Sequence, residues 1–167
     1  MLRLEDLSTE QKLGMLLCAR RCWDKADFAY TLELIRNHSL GCVQVPIDEN
    51  TPKYMAAIRE AADYPILIFA DMERGYPNGV LPSVPAQTLA ACDDAAYIKA
   101  YARGIAAQAK AAGFSGTWCP VVDLSCGMGG ERRFGSDPHR VAQSAACVME
   151  TFAECGFIGT AKHYPGG

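Results

Sequence analysis

Short apolar runs alternate with amphipathic helical patterns along this 167-residue chain. The helical patterns are long enough to act as crossover connections, and such crossovers join parallel strands with a right-handed turn. The alternation therefore predicts an α/β fold with a parallel sheet. The predicted strands cover residues 42–47, 65–70, 116–122 and 157–161.

Capping residues set the limits of the predicted helices. Ser8 and Gln11 form a capping box, so a first helix is predicted from about residue 9. Thr51 precedes Pro52 and is predicted to cap the third helix. The remaining helix boundaries are predicted by capping or stopping residues at Gly41, Asp93 or Asp94, Gly113, Asp137 and Gly156. These limits leave one helix between each pair of predicted strands.

Two parallel architectures fit this order of elements. A doubly wound dinucleotide fold requires a glycine-rich turn after its first strand, and residues 45–50 contain no glycine. A (β/α)8 barrel places polar residues at the C-terminal ends of its strands, as Asp71, Asp123 and Lys162 with His163 do here. The barrel therefore fits better. Eight units need about 250 residues, so the sequence predicts about half of a TIM-type barrel, as one domain over residues 1–167.

The charge distribution excludes several classes of partner. The formal net charge is −3, and lysine and arginine are scattered, so the sequence has no basic stripe for nucleic acid and no polybasic segment for a membrane. Charged residues interrupt residues 1–17, which is unlike a secretory signal or a transmembrane helix. We therefore expect a cytoplasmic protein with a small neutral partner.

Eight cysteines are distributed without the spacing of a metal site. The sequence has no Cys-x-x-Cys pair and no histidine at finger spacing, which argues against structural zinc. Cys42, Cys119 and Cys147 lie in apolar runs, where a thiol packs as a small hydrophobic group. We expect reduced, mostly buried thiols that carry no chemistry, and no metal site.

Four motifs follow one another along the chain. They are Phe69-Ala70-Asp71-Met72-Glu73-Arg74-Gly75, Cys119-Pro120-Val121-Val122-Asp123, Gly130-Glu131-Arg132-Arg133-Phe134-Gly135-Ser136-Asp137-Pro138 and Lys162-His163-Tyr164-Pro165-Gly166. In order and spacing they resemble the N-terminal (β/α)8-barrel domain of glycoside hydrolase family 3. The β-N-acetylhexosaminidase branch is the most similar, with β-glucosidases next. The resemblance covers about the first half of that family's barrel.

The resemblance implies an enzyme that hydrolyses terminal non-reducing β-linked sugars with retention of configuration and without a cofactor. It also implies that Asp71, Arg132, Lys162 and His163 bind hydroxyl groups of the terminal sugar. Carboxylate acceptors and cationic donors suit this task, because together they can grip vicinal hydroxyls from two sides. The expected partner is therefore a carbohydrate.

Further candidates for the same site are Asp123, Arg133 and Glu73. Asp123 alternatively caps backbone N–H groups after its strand, and Arg133 alternatively forms a solvated pair with Arg132. The side chains of Asp71 and Glu73 are expected to point to opposite sides, and so not to form a catalytic pair. Arg74 stands where the resembling family usually has glycine.

The family's nucleophile and its acid/base residue are expected beyond Gly167, so the resemblance assigns no catalytic residue to this chain. Three alternatives stay open: a β-glucosidase, a non-catalytic carbohydrate-binding protein, and a barrel enzyme that uses Lys162 as a Schiff-base amine. A half barrel also has open strand edges, which predicts self-association.

Overall fold

The structure is a computed structural model that describes residues 3–20, 25–77, 79–124 and 130–166. The chain forms two compact units, Met1–Ala70 (unit 1) and Asp71–Gly167 (unit 2). Cys22 and Cys126, for which the sequence predicts reduced thiols, lie outside the described residues, as does Gly167.

The described part of unit 1 contains three parallel strands and three α-helices. The strand order is β1-β2-β3, with Cys18 opposite Cys42 and Val43 opposite Ile68. Helices connect the successive strands, as parallel pairing requires. The elements are α1 (Thr9–Gly14), β1 (Cys18–Ala19), α2 (Lys25–Arg36), β2 (Cys42–Gln44), α3 (Thr51–Ala61) and β3 (Leu67–Ala70).

Hydrogen bonds at the helix starts of unit 1 confirm one predicted cap and correct another. The Gln11 N–H donates to Ser8 Oγ and the Ser8 N–H donates to Gln11 Oε1, so the predicted capping box is present. The prediction that Thr51 caps α3 is wrong, because Asn50 is the N-cap and Thr51 is the first helical residue. The Thr51 hydroxyl instead accepts from the Asp48 N–H at 2.8 Å and so stabilises the preceding loop.

Aliphatic side chains from the strands and helices build the core of unit 1. Ile35 of α2, Val43 of β2 and Ile58 of α3 are fully buried. The start of β2 also packs closely on the end of α1, and a Cβ at Gly41 would lie 1.9 Å from the Met15 carbonyl oxygen. This close approach of two backbone segments requires glycine at position 41.

In its described residues, unit 2 contains α4 (Ala86–Ala91), α5 (Ala95–Ala112), β4 (Gly116–Thr117) and α6 (Pro138–Glu154). The predicted starts of α5 and α6 are confirmed, because the Asp94 and Asp137 carboxylates each accept backbone N–H groups of the first turn. Gly113 ends α5 in the left-handed region, at φ 96°, where glycine is favoured. None of the described helices is long and apolar enough to cross a membrane.

Four parallel strands with flanking helices confirm the predicted α/β class, but the strand limits need correction. The prediction lacks β1, because two residues are too few to show an alternating pattern. Residues 157–161 do not form a continuous strand, and Ile158 and Lys162 form single bridges with Gly116 and Val121. The other predicted strands are shortened next to prolines, which lack a ladder donor: Pro46, Pro65 and Pro120.

The prediction that the thiols are mostly buried is wrong for the described cysteines. Of these, Cys119 is buried, and burial raises the pKa of its thiol to about 12. A strand places successive side chains on opposite faces, so Cys42 does not share the burial of Val43 in the same apolar run. The other described cysteines are exposed or half-buried: Cys18, Cys42, Cys92, Cys147 and Cys155.

Substitution of Gly41 tests the close packing in unit 1. Gly41→Ala forces a methyl group against the Met15 carbonyl, and overpacking of this kind should lower the free energy of unfolding by about 1–3 kcal/mol. Urea denaturation followed by circular dichroism measures the change. Gly130→Ala is the control, since a Cβ at Gly130 meets no atom within 4 Å. Equal losses in both variants would contradict the packing argument.

Candidate functional site

The last residue of the predicted third strand is hydrogen-bonded to the residue that follows the predicted fourth strand, within unit 2. The Val122 N–H donates to the Lys162 carbonyl oxygen at 2.7 Å. Asp123 and His163 are the next residues on the two segments, so the polar residues that follow both segments lie side by side. This arrangement is the one expected at the C-terminal ends of parallel strands.

Four charged side chains form a connected network, the ion-pair cluster, made of Asp71, Glu73, Arg132 and Lys162. The Glu73 carboxylate accepts two hydrogen bonds from Arg132, from Nε at 2.5 Å and from Nη2 at 2.6 Å. The Lys162 ammonium lies 2.5 Å from Glu73 Oε1 and 2.8 Å from Asp71 Oδ1. Three of the four predicted sugar-binding residues are thus brought together, and Glu73 joins Arg132 to Lys162.

Glu73 is the electrostatic centre of the ion-pair cluster. Its side chain is only 15% exposed, and this burial acts to raise the pKa of Glu73. The hydrogen bonds from Arg132 and Lys162 outweigh burial and hold the pKa of Glu73 below its usual value. The hydrogen bond to Glu73 in turn raises the pKa of Arg132. Glu73 is therefore a carboxylate between two fixed cations.

The expectation that Asp71 and Glu73 point to opposite sides is wrong. Both residues lie in the loop after β3, which ends at Ala70, and both carboxylates contact the Lys162 ammonium. Even within a strand, residues two apart share a face, so the spacing itself favours the same side. The shared ammonium holds the two carboxylates together.

A second ion pair links the same two segments. Arg74 pairs with Glu131, directly beside the Glu73–Arg132 pair. The backbone at Arg74 is held by Tyr101, whose hydroxyl donates to the Arg74 carbonyl oxygen at 2.7 Å. This pair was not predicted from the sequence, although both motifs contain Glu-Arg, and the two dipeptides are complementary when they cross. The pair helps to fix the segment that carries Arg132.

A buried carboxylate positions His163. Asp123 Oδ2 lies 2.5 Å from His163 Nδ1, and Asp123 Oδ1 accepts from the His163 backbone N–H at 3.3 Å. The Asp123 side chain is 3% exposed and that of His163 is 49% exposed. Both residues and Tyr164 line a hollow of about 570 Å³, which members of the ion-pair cluster do not line. His163 therefore lies beside the cluster and has a separate support.

Several donors of the site form no hydrogen bond with the described residues. Of the five N–H groups of the Arg132 guanidinium, two bond Glu73, and of the three on the Lys162 ammonium, two bond carboxylates. No residue in the described ranges hydrogen-bonds the remaining N–H groups or His163 Nε2. Hydroxyl oxygens are suitable acceptors for such donors.

The remaining predicted candidates have other surroundings. Arg133 is buried and its Nη1 donates to the Leu124 carbonyl oxygen at 2.5 Å, so it stabilises the backbone after Asp123. A Schiff base needs a neutral amine, whereas two carboxylates bond the Lys162 ammonium, so the geometry does not favour that alternative. In the described part of the chain, no group of three or more His, Cys, Asp or Glu side chains could hold a metal ion.

The chain matches the model of the glycosyl hydrolase family 3 N-terminal domain over residues 9–167. A beta-hexosaminidase of Xanthomonas oryzae pv. oryzae is 34% identical over 123 residues, which are 66% of this chain and 37% of that protein. A beta-hexosaminidase of Xylella fastidiosa has the same identity and coverage. The chain thus spans 37% of the length of these curated relatives.

Solved structures with the same fold cover nearly the whole chain. The beta-glucoside phosphorylase BglX bound to 2FGlc has a TM-score of 0.82 at 26% identity, over 98% of this chain and 31% of that chain. A family 3 beta-N-acetylglucosaminidase from Paenibacillus sp. str. FPU-7 has a TM-score of 0.80 at 25% identity, over 96% and 34%. These similarities confirm the predicted partial TIM-type barrel.

Replacement of Glu73 tests the electrostatics of the ion-pair cluster. Glu73→Gln leaves two cations without their shared carboxylate, so the free energy of unfolding should fall by about 1–3 kcal/mol at pH 7. The folded state lowers the pKa of Glu73, so its contribution is complete above the unfolded pKa of about 4.3 and is lost as the pH falls through the folded pKa. The difference between wild type and variant should therefore shrink below about pH 4.

Urea denaturation at a series of pH values measures this difference. The control is Glu150→Gln on the exposed side of α6, which should change the free energy of unfolding by less than about 0.5 kcal/mol at pH 7. A Glu73→Gln difference that grows toward low pH is incompatible with the ion pairs described.

Proposed function

This chain belongs to glycosyl hydrolase family 3, and from that membership we propose that its parent protein hydrolyses terminal non-reducing β-linked sugars with retention of configuration. The chain supplies the sugar-binding half of the site, as residues 1–167 of a single catalytic barrel. The observation that carries the proposal is the ion-pair cluster beside His163, where fixed cationic donors meet carboxylate acceptors.

The ion-pair cluster suits the vicinal hydroxyls of a pyranose. Arg132 offers N–H groups in a planar fork and Lys162 offers a compact ammonium, and Glu73 fixes both before a sugar arrives. Little side-chain freedom is then lost on binding. In this proposal the sugar hydroxyls accept from Arg132 and Lys162 and donate to Asp71, while His163 Nε2 contacts the ring from the neighbouring hollow.

In this proposal the ion-pair cluster contributes to the reaction rate as well as to the affinity for the sugar. Glycoside hydrolysis passes through an oxocarbenium-like transition state, and hydrogen bonds to the ring hydroxyls can strengthen as that state forms. A ring held by several fixed groups also presents its anomeric carbon in one orientation. The role proposed for this chain is therefore positioning of the terminal sugar.

The attacking and proton-transferring groups are proposed to lie beyond Gly167. A retaining glycosidase needs two such groups about 5 Å apart, one of which attacks the anomeric carbon. Asp71 and Glu73 are both bonded to the Lys162 ammonium, which favours a binding role for them over an attacking role. We therefore assign no catalytic residue within this chain.

An N-acetylhexosamine is the favoured sugar. The support is the name of the relatives at 34% identity, which is beta-hexosaminidase. A β-glucoside is the second candidate, since a beta-glucoside phosphorylase has a TM-score of 0.82 with this chain. A non-catalytic carbohydrate-binding protein is the third candidate, and activity assays separate it from the other two.

The proposal also covers the setting of the reaction. We expect it in the cytoplasm and without metal or organic cofactor. We also expect no nucleic-acid partner, in keeping with a net charge of −3 and scattered basic residues. Self-association through strand edges remains a prediction, supported by the position of β1 at the end of the strand order in unit 1.

Replacement of Lys162 in the parent protein tests the proposed function. Lys162→Met keeps much of the aliphatic side chain but removes the ammonium, and kcat/KM should fall by about 100- to 1000-fold, as for loss of a preorganised donor. The assay uses p-nitrophenyl N-acetyl-β-glucosaminide and p-nitrophenyl β-glucoside, each with and without inorganic phosphate. The control is Lys53→Met at an exposed position of α3, which should leave kcat/KM unchanged.

The outcomes separate the candidate functions. Hydrolysis of the N-acetylated substrate without phosphate supports the favoured sugar, and activity on the glucoside alone supports the second candidate. Inactivity of the wild-type parent protein on every common β-glycoside would remove the enzymatic proposal. Equal kcat/KM for Lys162→Met and wild type would remove the proposed role of the cluster.

A further inference from the structure

Two cysteines of unit 1 are direct neighbours on adjacent parallel strands. Cys18 of β1 is the register partner of Cys42 of β2, and each thiol is the largest influence on the pKa of the other. Adjacent strands are about 4.8 Å apart, and disulfides join residues whose Cα atoms are roughly 4.4–6.8 Å apart. The usual spacing of adjacent strands therefore lies within the Cα range of a disulfide.

The two thiols differ in a way that assigns different roles to them. Cys18 is exposed, and the neighbouring Cys42 thiol lowers the pKa of its thiol, so Cys18 is the more accessible and more acidic thiol of the pair. Cys42 is half-buried, and the hydrogen bond to Cys18, with burial, raises the pKa of its thiol. An accessible, more acidic thiol beside a second, less acidic thiol is the arrangement of attacking and resolving cysteines.

We propose that Cys18 and Cys42 form a thiol–disulfide exchange site for low-molecular-weight disulfides such as glutathione disulfide. The Cys18 thiolate attacks one sulfur of the disulfide, so that one S–S bond forms, one breaks and a small thiolate leaves. The Cys42 thiol then loses its proton to water or to that thiolate and attacks the Cys18 sulfur, which releases the second small thiol. Two protein thiols are oxidised, and one disulfide is reduced to two thiols.

Cys92 of α4 provides an internal comparison. Like Cys18, it is exposed and its Sγ donates to a backbone carbonyl oxygen, but it lies in a segment that pairs with no described strand. A lower thiol pKa increases the thiolate fraction near pH 7 by more than it decreases the intrinsic nucleophilicity of the thiolate. Cys18 should therefore react faster than Cys92 near pH 7.

The experiment treats the reduced protein with glutathione disulfide, quenches it with acid and maps tryptic peptides by mass spectrometry. Cleavage after Lys12, Arg20 and Arg21 separates Cys18 in peptide 13–20 from Cys22 in peptide 22–25, and Cys42 falls in peptide 37–53. We expect peptides 13–20 and 37–53 to be joined, with a mass two hydrogens below the reduced pair. One equivalent of glutathione disulfide per protein should be enough to form this product.

Two variants resolve the order of steps. In Cys42→Ser, glutathione should remain on Cys18 as a stable mixed disulfide. In Cys18→Ser, Cys42 should stay reduced over the same time, while Cys92 reacts as in wild type. Circular dichroism of both variants checks that the fold is kept. If either variant fails to fold, the disulfide between peptides 13–20 and 37–53 in wild-type protein still tests the proposal.

Three results would overturn the proposal. The first is a mixed disulfide on Cys18 of the wild-type protein that does not proceed to the linked product. The second is a disulfide between peptide 13–20 and a peptide other than 37–53. The third is a reaction at Cys18 that is no faster than the reaction at Cys92. The proposal does not rest on the proposed glycosidase function, so the outcome of the glycosidase assays does not decide it.

Discussion

The Glu73 carboxylate holds together three segments of unit 2 that are far apart in sequence. It bonds Arg132, 59 residues away, and the Lys162 ammonium, which also bonds Asp71 across 91 residues. Without that carboxylate, two cations in a partly buried space would lose their principal compensation, which is costly. The positions of Arg132 and Lys162 relative to each other therefore depend on one residue that itself need not touch a substrate.

Further contacts stabilise this arrangement from both sides. The Arg74–Glu131 pair and the Tyr101 hydroxyl hold the loop around Glu73, and Asp123 holds His163 next to Lys162. Each charged group in the site has at least one charged or polar partner, so the charges are compensated before any ligand binds. Preorganised groups of this kind bind a rigid, hydroxyl-rich ring with little loss of conformational freedom.

The sequence predicts those features that neighbouring residues decide. Asp94 and Asp137 cap their helices and Gly113 ends α5, because each acts through backbone groups a few residues away. The resemblance of the motifs, taken in order, named Arg132 and Lys162 as candidate sugar-binding residues. Side-chain pairing across long separations leaves no periodic trace, so the bond between Glu73 and Arg132 could not be derived from spacing.

The strands show the same limit of local patterns. β1 has two residues, and its existence follows from pairing with β2 and not from its own composition. Segment 158–162 pairs with its neighbour at single bridges, so an apolar run alone overstated its regularity. For this chain, the polar residues that follow the predicted strands indicated the candidate site more accurately than the predicted strand limits did.

A crystal structure of the parent protein with bound N-acetylglucosamine is the most direct test of the central claim, that Glu73 fixes a clamp for one sugar ring. We expect one ring in hydrogen-bond contact with Asp71, Arg132, Lys162 and His163, with the bonds from Arg132 and Lys162 to Glu73 intact. A ring bound away from these residues, or a cluster in which Glu73 has released both cations, would contradict it.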